Sequence, residues 1–300
     1  MISVLLPAYK STYLSNAIES VLHQSYCDWE LIIVNDKSPQ PIDDVVKEYL
    51  YDSRIHYYIN DENLGKKNLV ANWNRCLSYA KGDYFSLICD DDIYKPTFLE
   101  EMINLSNKYP NCNVFRTGVE IIDSNENIID YYPSSPEYES CEDYMWHVFK
   151  GYRCQTITEW FYRTSYIKKL GGFVSLPLAW YSDFLSIFIF SLKGGIVSSS
   201  KRLVQFRMSG ENITSQKEKN AIKKMNASLQ YENNVIEIIQ NTNFVYKEMM
   251  LKLLHRYLRS KRGYGLSTCN WSDWFYFVSR NRFYHLDNKM IVKSFINRFV

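Results

Sequence analysis

Three consecutive aspartates follow a short apolar run near residue 90. Asp90, Asp91 and Asp92 follow the run 84–88 after a single residue, Cys89. Adjacent like charges at the end of a buried strand repel one another, and a bound cation would offset that repulsion. Mg²⁺ and Mn²⁺ prefer hard oxygen ligands of this kind. The triplet therefore predicts a divalent metal site, with Mn²⁺ or Mg²⁺ as the cofactor.

Other residues with functional potential follow three more apolar runs. Pro7, Ala8 and Tyr9 come after the first run, residues 35–38 after the second and residues 60–63 after the third. Asp and Asn also cap helices and form turns, and this alternative stays open for residues 60–63.

The first 120 residues alternate short apolar runs with amphipathic stretches, which is typical of a parallel sheet covered by helices. The predicted strands are residues 2–6, 30–34, 55–59, 84–88 and 113–119, and the predicted helices are 15–23, 42–49, 67–80 and 96–108. Pro96 suits the first turn of the last helix. Right-handed crossovers place the strand ends on one edge of the sheet, where ligands bind. The predicted fold class is therefore α/β.

Composition narrows the class of protein. The chain has 300 residues, 46% of them hydrophobic and 23% charged, so it can bury a core. Its seven cysteines contain no C-x-x-C pair, which argues against a disulfide framework or a zinc knuckle and indicates a reducing compartment. No apolar run approaches the ~20 residues of a membrane-spanning helix. We therefore expect a cytoplasmic protein.

Charge and glycine patterns restrict how a phosphate could bind. Residues 1–215 carry a formal charge of −7, whereas residues 216–300 carry +9 from 15 Lys and Arg against 6 Asp and Glu. Neither G-x-x-x-x-G-K-[ST] nor G-x-G-x-x-G follows the first strand, which disfavours P-loop enzymes and dinucleotide-binding dehydrogenases. A divalent cation would reconcile a phosphate-bearing ligand with the acidic N-terminal part.

Four segments, in this order and spacing, resemble the inverting nucleotide-sugar glycosyltransferases of family two. They read SVLLPAYK, ELIIVNDKS, NDENLGKKNLVANWNRCLSYAKGDYFSLICDDDIYKP and IKKLGGFVSLPLAWYSDF. That family has the GT-A fold, a Rossmann-like, mostly parallel sheet with flanking helices. The resemblance covers about residues 1–215, which we predict to be a GT-A domain. Residues 216–300 are predicted to be a basic, aromatic-rich helical extension.

The resemblance implies contacts to the nucleotide. The turn formed by Pro7, Ala8 and Tyr9 would pack against the nucleoside, and Asp36 would bind the edge of the base. A carboxylate suits the imide N–H of uracil, which favours a UDP-sugar as donor. The family pattern at Asp36 is D-D-x-S, and Asn35 replaces its first Asp.

Further implied contacts lie near the diphosphate. The stretch from Asn63 to Asn74 resembles a family segment beside the diphosphate, although Trp73 stands where Arg is common. Arg207 is a candidate phosphate clamp, and its alternative is a surface arginine on an edge strand.

The aspartate triplet resembles the D-x-D signature, whose acids contact the ribose and the metal between the phosphates. Asp90 and Asp91 are thus candidates for nucleotide contacts, and Asp92, Asp91 and Asp90 are candidate metal ligands. Aligning the common form D-x-D-D on Asp91 and Asp92 puts Cys89 at the first Asp, whereas a direct alignment takes Asp90 and Asp92. The choice between Asp91 and Asp92 as principal ligand stays open.

Family members place a catalytic base in an Asp motif after a G-G-F segment, which implies that Asp183 is the base here. The motif often reads E-D, and Ser182 replaces the Glu. Apolar neighbours would raise the pKa of Asp183 toward a useful range. The alternative is that Asp183 is the N-cap of the following helix.

The basic tail contains one strongly amphipathic stretch, residues 245–262. Its apolar face comprises Met250, Leu253, Leu254, Tyr257 and Leu258. This face could pack on the catalytic domain, which we favour, or lie on the inner face of an anionic membrane as a peripheral contact. No recognisable module supports nucleic-acid binding.

Together these features predict a metal-dependent inverting glycosyltransferase that moves a sugar from a nucleotide-sugar to a hydroxyl of a surface glycan or lipid-linked acceptor. The rivals are a sugar-phosphate nucleotidyltransferase and a catalytically degenerate carbohydrate-binding relative. The first normally carries a Gly-rich, basic loop after the first strand, which this chain lacks.

Overall fold

A computed structural model describes residues 1–208 and 220–299. Its strands are β1 (Ile2–Ala8), β2 (Trp29–Asn35), β3 (Ile55–Ile59), β4 (Tyr84–Leu87), β5 (Ile93–Tyr94), β6 (Val114–Ile122), β7 (Ile128–Tyr131), β8 (Tyr138–Glu139), β9 (Trp160–Arg163) and β10 (Ile196–Arg207). Its helices are α1 (Leu14–Leu22), α2 (Ile42–Lys47), α3 (Leu64–Tyr79), α4 (Phe98–Lys108), α5 (Cys141–Lys150), α6 (Thr164–Lys169), α7 (Ser182–Ser191), α8 (Ala221–Asn241), α9 (Lys247–Thr268), α10 (Trp271–Ser279) and α11 (Asn288–Ile296). The predicted domain boundary between residues 215 and 216 lies outside the described residues.

The strands form one mixed sheet in the order β3-β2-β1-β4-β9-β6-β10-β5. The first four strands are parallel, as the alternating pattern predicts. The sheet then departs from the prediction, because β9 lies between β4 and β6 and runs antiparallel to both. This strand comes from an aromatic-rich region, and Trp160, Phe161 and Tyr162 are buried in it. These aromatic side chains therefore form part of the core.

Each predicted strand and helix in the first 120 residues is present, with boundaries shifted by a few residues. The largest shifts are of three residues: α3 begins at Leu64 instead of residue 67, and β6 ends at Ile122 instead of residue 119. Pro96 was expected in the first turn of α4, but that helix begins at Phe98 with Thr97 as its N-cap. The Pro96 carbonyl instead accepts a hydrogen bond from Ser25 N at 2.7 Å, which connects this segment to the loop after α1.

Two apolar layers cover the sheet because its central strands alternate their side chains between the faces. In β1, Val4 and Leu6 face α1, α2 and α4, whereas Leu5 faces α3, α5 and α7. Burial on both faces explains why β1 and β2 read as nearly continuous apolar runs. Packing on both faces positions the carboxyl ends of these strands at one edge of the sheet.

The C-terminal helices share the core of the N-terminal part. Met250, Leu253, Leu254 and Leu258 of α9 are buried in the same apolar layer as α3, α5 and α7. The packing alternative for residues 245–262 is thereby confirmed, and a membrane contact through this apolar face is wrong, because the face is covered by protein. Lys252, Arg256, Arg259 and Lys261 are exposed, whereas Arg262 is buried against Glu232 at 2.7 Å.

The last two helices form a smaller cluster with the end of α9. Trp274, Phe277, Tyr284 and Met290 are buried there beside Leu266. Within residues 1–208 and 220–299, no helix combines the length and apolarity that crossing a bilayer requires.

Candidate active site

The carboxyl ends of β1, β2 and β4 bring the first predicted site residues together. Tyr9 N and Lys10 N donate to Asp90 Oδ2 at 2.8 and 2.6 Å, and Asp36 N donates to the Ala8 carbonyl at 3.0 Å. Pro7 and Ala8 are the last two residues of β1. The Tyr9 side chain is 41% exposed, so its ring is accessible to a ligand. One edge of the sheet therefore collects the residues predicted for the nucleoside.

Asp36 is held by the start of α3. Its carboxylate accepts from Leu64 N at 2.8 Å, from Gly65 N at 2.7 Å and from Asn60 Nδ2 at 2.8 Å. A carboxylate has about four acceptor positions, so these three bonds leave capacity for one more donor. Its contact with a base remains a prediction. Asn60 thus has a structural role, because its amide orients Asp36.

The neighbouring Asn35 has a structural role at the position where the family has its first Asp. Its Nδ2 donates to the Tyr57 hydroxyl at 3.0 Å and to Asp43 Oδ1 at 3.1 Å, and its Oδ1 accepts from Ser38 N at 2.9 Å. An amide can make both kinds of bond, whereas an ionised carboxylate could only accept. The network therefore suits the departure from the family pattern.

The two asparagines predicted beside the diphosphate both serve backbone contacts. Asn63 is the N-cap of α3 and accepts from Lys66 N at 2.7 Å. Asn74 binds both backbone groups of Phe173, with Nδ2 to the carbonyl at 2.9 Å and Oδ1 from the N–H at 2.8 Å. Asn74 therefore fixes the G-G-F segment, and phosphate contacts by either side chain remain predictions.

Gly172 lies against the Asn74 side chain, which gives a first testable prediction. Its φ is +83°, and an added Cβ would lie 2.4 Å from Asn74 Oδ1. We expect Gly172→Ala to lower the free energy of unfolding by about 1–3 kcal/mol. Gly171→Ala is the matched control, because its φ is +89° and nothing lies within 4 Å of the added Cβ. Equal urea midpoints for the two variants would contradict the close-contact argument.

The aspartates of the triplet point in different directions. Asp91 Oδ2 accepts from Lys10 Nζ at 2.7 Å. Asp92 is fully buried and accepts from the Thr158 hydroxyl and from Arg207 N, the latter at 3.1 Å. One potential ligand atom each from Asp91, Asp92 and Cys89 lies within 4.8 Å of the other two. Asp90 lies outside this group and binds the backbone of the β1 turn, so the group favours Asp91 and Asp92 as metal ligands.

Burial and mutual repulsion raise pKa values within this acidic cluster. Burial, followed by the charge of Asp91, raises the pKa of Asp92 to about 7 and that of Asp90 to about 6. Burial also raises the pKa of the Cys89 thiol, which leaves a soft, protonated group unsuited to Mg²⁺ or Mn²⁺. Two carboxylates with one neighbouring ammonium fit a divalent cation with hard-ligand preference.

The raised pKa values predict a pH-dependent stability. Between the ordinary pKa of an Asp side chain and pH 7, Asp90 and Asp92 hold protons in the folded protein that they have released in the unfolded chain. The free energy of unfolding therefore falls as pH rises through this range. We expect the metal-free protein to have a Tm several degrees lower at pH 8 than at pH 5.5. Mn²⁺ should restore much of this loss at pH 8 and little at pH 5.5. Calorimetric scans with and without Mn²⁺ check this, and the same Mn²⁺ effect at both pH values would contradict it.

Asp183 lies in the first turn of α7, after a strained segment. Leu178, Ala179 and Tyr181 have φ values of 60°, 55° and 67°, which non-glycine residues rarely adopt. The N-cap of α7 is Tyr181, so the alternative of Asp183 as N-cap is wrong. Ser182 Oγ accepts from Leu176 N at 2.9 Å and helps to hold the segment.

The surroundings of Asp183 suit a general base. Burial raises its pKa, while the Gln155 side chain and the Phe184 backbone N–H oppose that rise. The Tyr144 hydroxyl donates to Gln155 Oε1 and so orients this amide. The Asp183 side chain retains partial access to solvent. Sequence reasoning missed Gln155, because nothing in a lone Gln between two aromatic segments indicates its neighbour.

Arg207 is buried and supports the aspartate turn. Its Nε donates to the Asp91 carbonyl at 3.0 Å, and its Nη2 pairs with Glu126 at 2.9 Å. Its guanidinium carbon lies 4.0 Å from the centroid of the Tyr13 ring. The alternative of a surface arginine is therefore wrong, while a phosphate contact stays a prediction. Lys10 and Thr158 are further residues of this site that sequence reasoning missed, since both act through contacts across the fold.

A cavity of about 240 Å³ adjoins the segment before Asp183. Trp180 and Tyr181 line one side, and α8, α9 and α10 contribute residues including Lys224, Lys261 and Phe277. Within the described ranges, no predicted site residue lines this cavity. It combines aromatic walls with cationic side chains.

The fold and the acidic edge of the sheet define a GT-A-type α/β protein with a C-terminal group of helices. A family model described as Glycosyl transferase family 2 matches residues 3–170, so the chain belongs to that family.

Several curated proteins of Bacillus subtilis are similar to this chain. The putative teichuronic acid biosynthesis glycosyltransferase TuaG is 27% identical over 227 residues, which cover 74% of this chain and 85% of TuaG. The putative glycosyltransferase EpsE is 36% identical over 125 residues, 41% of this chain and 44% of EpsE. Protein CgeD is 32% identical over 130 residues, 42% of this chain and 30% of CgeD. The matched part thus spans less than half of the latter two proteins.

Solved structures share the fold at low sequence identity. TarS of S. aureus in complex with UDP-GlcNAc superposes with a TM-score of 0.70 at 18% identity, over 89% of this chain and 75% of that one. The mannosyltransferase PcManGT of Pyrobaculum calidifontis, in complex with GDP-Man and Mn²⁺, gives a TM-score of 0.58 at 10% identity, over 89% and 72%. The GT-A fold predicted from the sequence is therefore confirmed.

Proposed function

We propose that this protein is a metal-dependent inverting glycosyltransferase. It moves a sugar from a nucleotide-sugar, with a UDP-sugar as leading donor, to a hydroxyl of a surface-glycan or lipid-linked acceptor. The observation that carries the proposal is that one fold contains both features such an enzyme needs. These are the cluster of Asp91 and Asp92, and a partly accessible Asp183 whose pKa is raised. Family membership supports the reaction class.

The residues expected to bind the nucleotide-sugar donor lie at the carboxyl edge of the sheet. Tyr9 offers an exposed ring to the nucleoside, and Asp36 retains one acceptor position for a base N–H. The TarS structures contain UDP and UDP-GlcNAc, and PcManGT contains GDP-Man and Mn²⁺. A uracil base is favoured because its imide N–H donates to a carboxylate.

The protein's own residues would handle charge and proton transfer. Asp91 and Asp92 would hold Mn²⁺ or Mg²⁺, which neutralises the diphosphate as the bond to the sugar breaks. Asp183 would accept the proton of the acceptor hydroxyl while the oxygen of that hydroxyl forms the new bond to the anomeric carbon. Attack opposite the leaving diphosphate inverts that carbon.

The acceptor end is assigned to the cavity beside Tyr181. Its aromatic walls offer flat faces to sugar rings, and Lys224 and Lys261 favour an anionic group on the acceptor. TuaG is described as a putative teichuronic acid biosynthesis glycosyltransferase, which supports a cell-envelope glycan as acceptor class.

The released product distinguishes this proposal from its rivals. Incubation with UDP-sugars, Mn²⁺ and glycan acceptors should release nucleoside diphosphate. Pyrophosphate release from a sugar phosphate and a nucleoside triphosphate would instead identify a nucleotidyltransferase. Release of neither product, with carbohydrate still bound, would identify a degenerate binding protein and overturn the proposal.

A further inference from the structure

Four exposed aromatic side chains form a continuous cluster near the end of the chain, here called the aromatic patch. Its members are Trp271, Phe275, Phe295 and Phe299. The centroids of the three phenyl rings lie 6.0–6.1 Å from that of Trp271. The four side chains are 42–70% exposed, although each ring touches another. A contiguous apolar surface of this kind marks an interaction site more often than an isolated exposed residue does.

Helix α11 extends this surface along one face. Val292 and Ile296 are 57% and 53% exposed and are spaced with Phe295 and Phe299 at intervals of three and four residues. The opposite face of the helix is buried through Met290 and Ser294. An amphipathic helix normally turns its apolar face inward. In α11, a second apolar face points outward.

The segment that carries the aromatic patch is rich in exposed cations. Arg280, Arg282, Lys289 and Lys293 are exposed on the same two helices and the loop between them. The Arg298 guanidinium carbon lies 4.6 Å from the Trp271 ring centroid. Of the two acids in residues 270–299, Asp273 and Asp287, the latter already pairs with Arg259 at 2.6 Å. The surface is therefore both apolar and net positive.

This combination distinguishes between two kinds of partner. A second copy of the chain, docked patch to patch, would bring the cations of both copies together, which is unfavourable. An anionic bilayer supplies headgroups for the cations and an acyl boundary for the aromatic rings. Tryptophan and lysine or arginine side chains suit this boundary because each has an apolar body and a polar end.

We propose that the aromatic patch and the exposed cations of α10, α11 and the loop between them bind the protein to the surface of an anionic lipid membrane. This surface takes the role of membrane contact that the sequence analysis considered for residues 245–262, whose apolar face is covered by protein. Helix α10 also contributes Phe277 to the cavity beside Tyr181, so membrane binding would bring that cavity close to the lipid headgroups. The proposal does not depend on glycosyl transfer.

The test is flotation of the full chain with vesicles of phosphatidylcholine containing 30% phosphatidylglycerol, compared with pure phosphatidylcholine. The wild type should bind the anionic vesicles, and 0.5 M NaCl should weaken the binding. The double variant Phe275→Ser/Phe299→Ser should bind at least tenfold more weakly. Tyr51→Ser is the control, because Tyr51 is 80% exposed on a loop outside the C-terminal helices.

A second variant separates electrostatic attraction from apolar contact and guards against misfolding. Lys289→Glu/Lys293→Glu changes only exposed side chains and should also lower binding at least tenfold at low salt, with an unchanged Tm. Equal flotation of the wild type and both double variants would overturn the proposal. So would a wild type that ignores vesicles and forms a dimer that Phe275→Ser/Phe299→Ser dissociates, because the patch would then be a subunit interface.

Discussion

The Asp183→Asn variant is expected to lose transfer activity while retaining its ligands. Asparagine keeps the shape of the side chain and its contact with the α7 backbone, but it cannot accept the proton of the acceptor hydroxyl. General base catalysis contributes about 10²–10⁴-fold, so kcat should fall by that factor. The measurement is release of nucleoside diphosphate in the presence of acceptor, together with calorimetric titration of UDP and Mn²⁺.

The control for this experiment is Asp273→Asn. Asp273 lies in the first turn of α10, as Asp183 does in α7, so both substitutions remove a carboxylate from the start of a helix. Asp273→Asn should retain wild-type turnover. Turnover by Asp183→Asn within tenfold of the wild type would remove Asp183 from the base role, and a parallel loss of UDP binding would assign it to the donor site instead.

The second large effect is expected for Asp92→Asn. Titration of UDP, GDP, dTDP and CMP, each with and without Mn²⁺, should reveal tight UDP binding that needs the metal in the wild type. The substitution removes one ligand charge from the cluster, so Mn²⁺-dependent UDP affinity should fall at least tenfold. The fold should persist, because an amide oxygen can still accept from Arg207 N.

Two further variants are needed to interpret that result. Asp91→Asn decides which aspartate is the principal ligand, since the variant with the larger loss identifies it. Asp44→Asn, an exposed change on α2, should leave all four titrations unchanged. Metal-independent UDP binding in the wild type would mean that the triplet is structural, and preferential GDP binding would overturn the assignment of uracil to Asp36.

Much of the fold could be predicted because it depends on local patterns. The period of apolar residues indicated β1 to β4 and α1 to α4, and short crossovers implied that β1 to β4 are parallel. The antiparallel β9 could not be predicted in this way. Its four residues pair with strands from distant parts of the chain, and the aromatic side chains of such a short run carry no periodic signal.

The same difference between local patterns and long-range contacts applies to the residues of the candidate site. Asp36, Asp90, Asp91 and Asp92 were identifiable because each follows a strand that ends at the ligand edge. Lys10, Gln155 and Thr158 were not. The partners of Lys10 and Thr158 lie 66 or more residues away, and Gln155 lies in the loop between α5 and β9, whereas Asp183 lies on α7.

The sequence by itself determined the class of fold, the acidic edge of the sheet and the residue types that can hold a divalent cation, because these depend on periodicity and on residue chemistry. Only the tertiary structure decided that Asp90 turns to the β1 backbone while Asp91 and Asp92 group together, and that Arg207 is buried. It also decided that the apolar face of α9 is covered while aromatic side chains of α10 and α11 are exposed. A side chain's role depends on which distant groups pack against it, and that information exists only once the chain has folded.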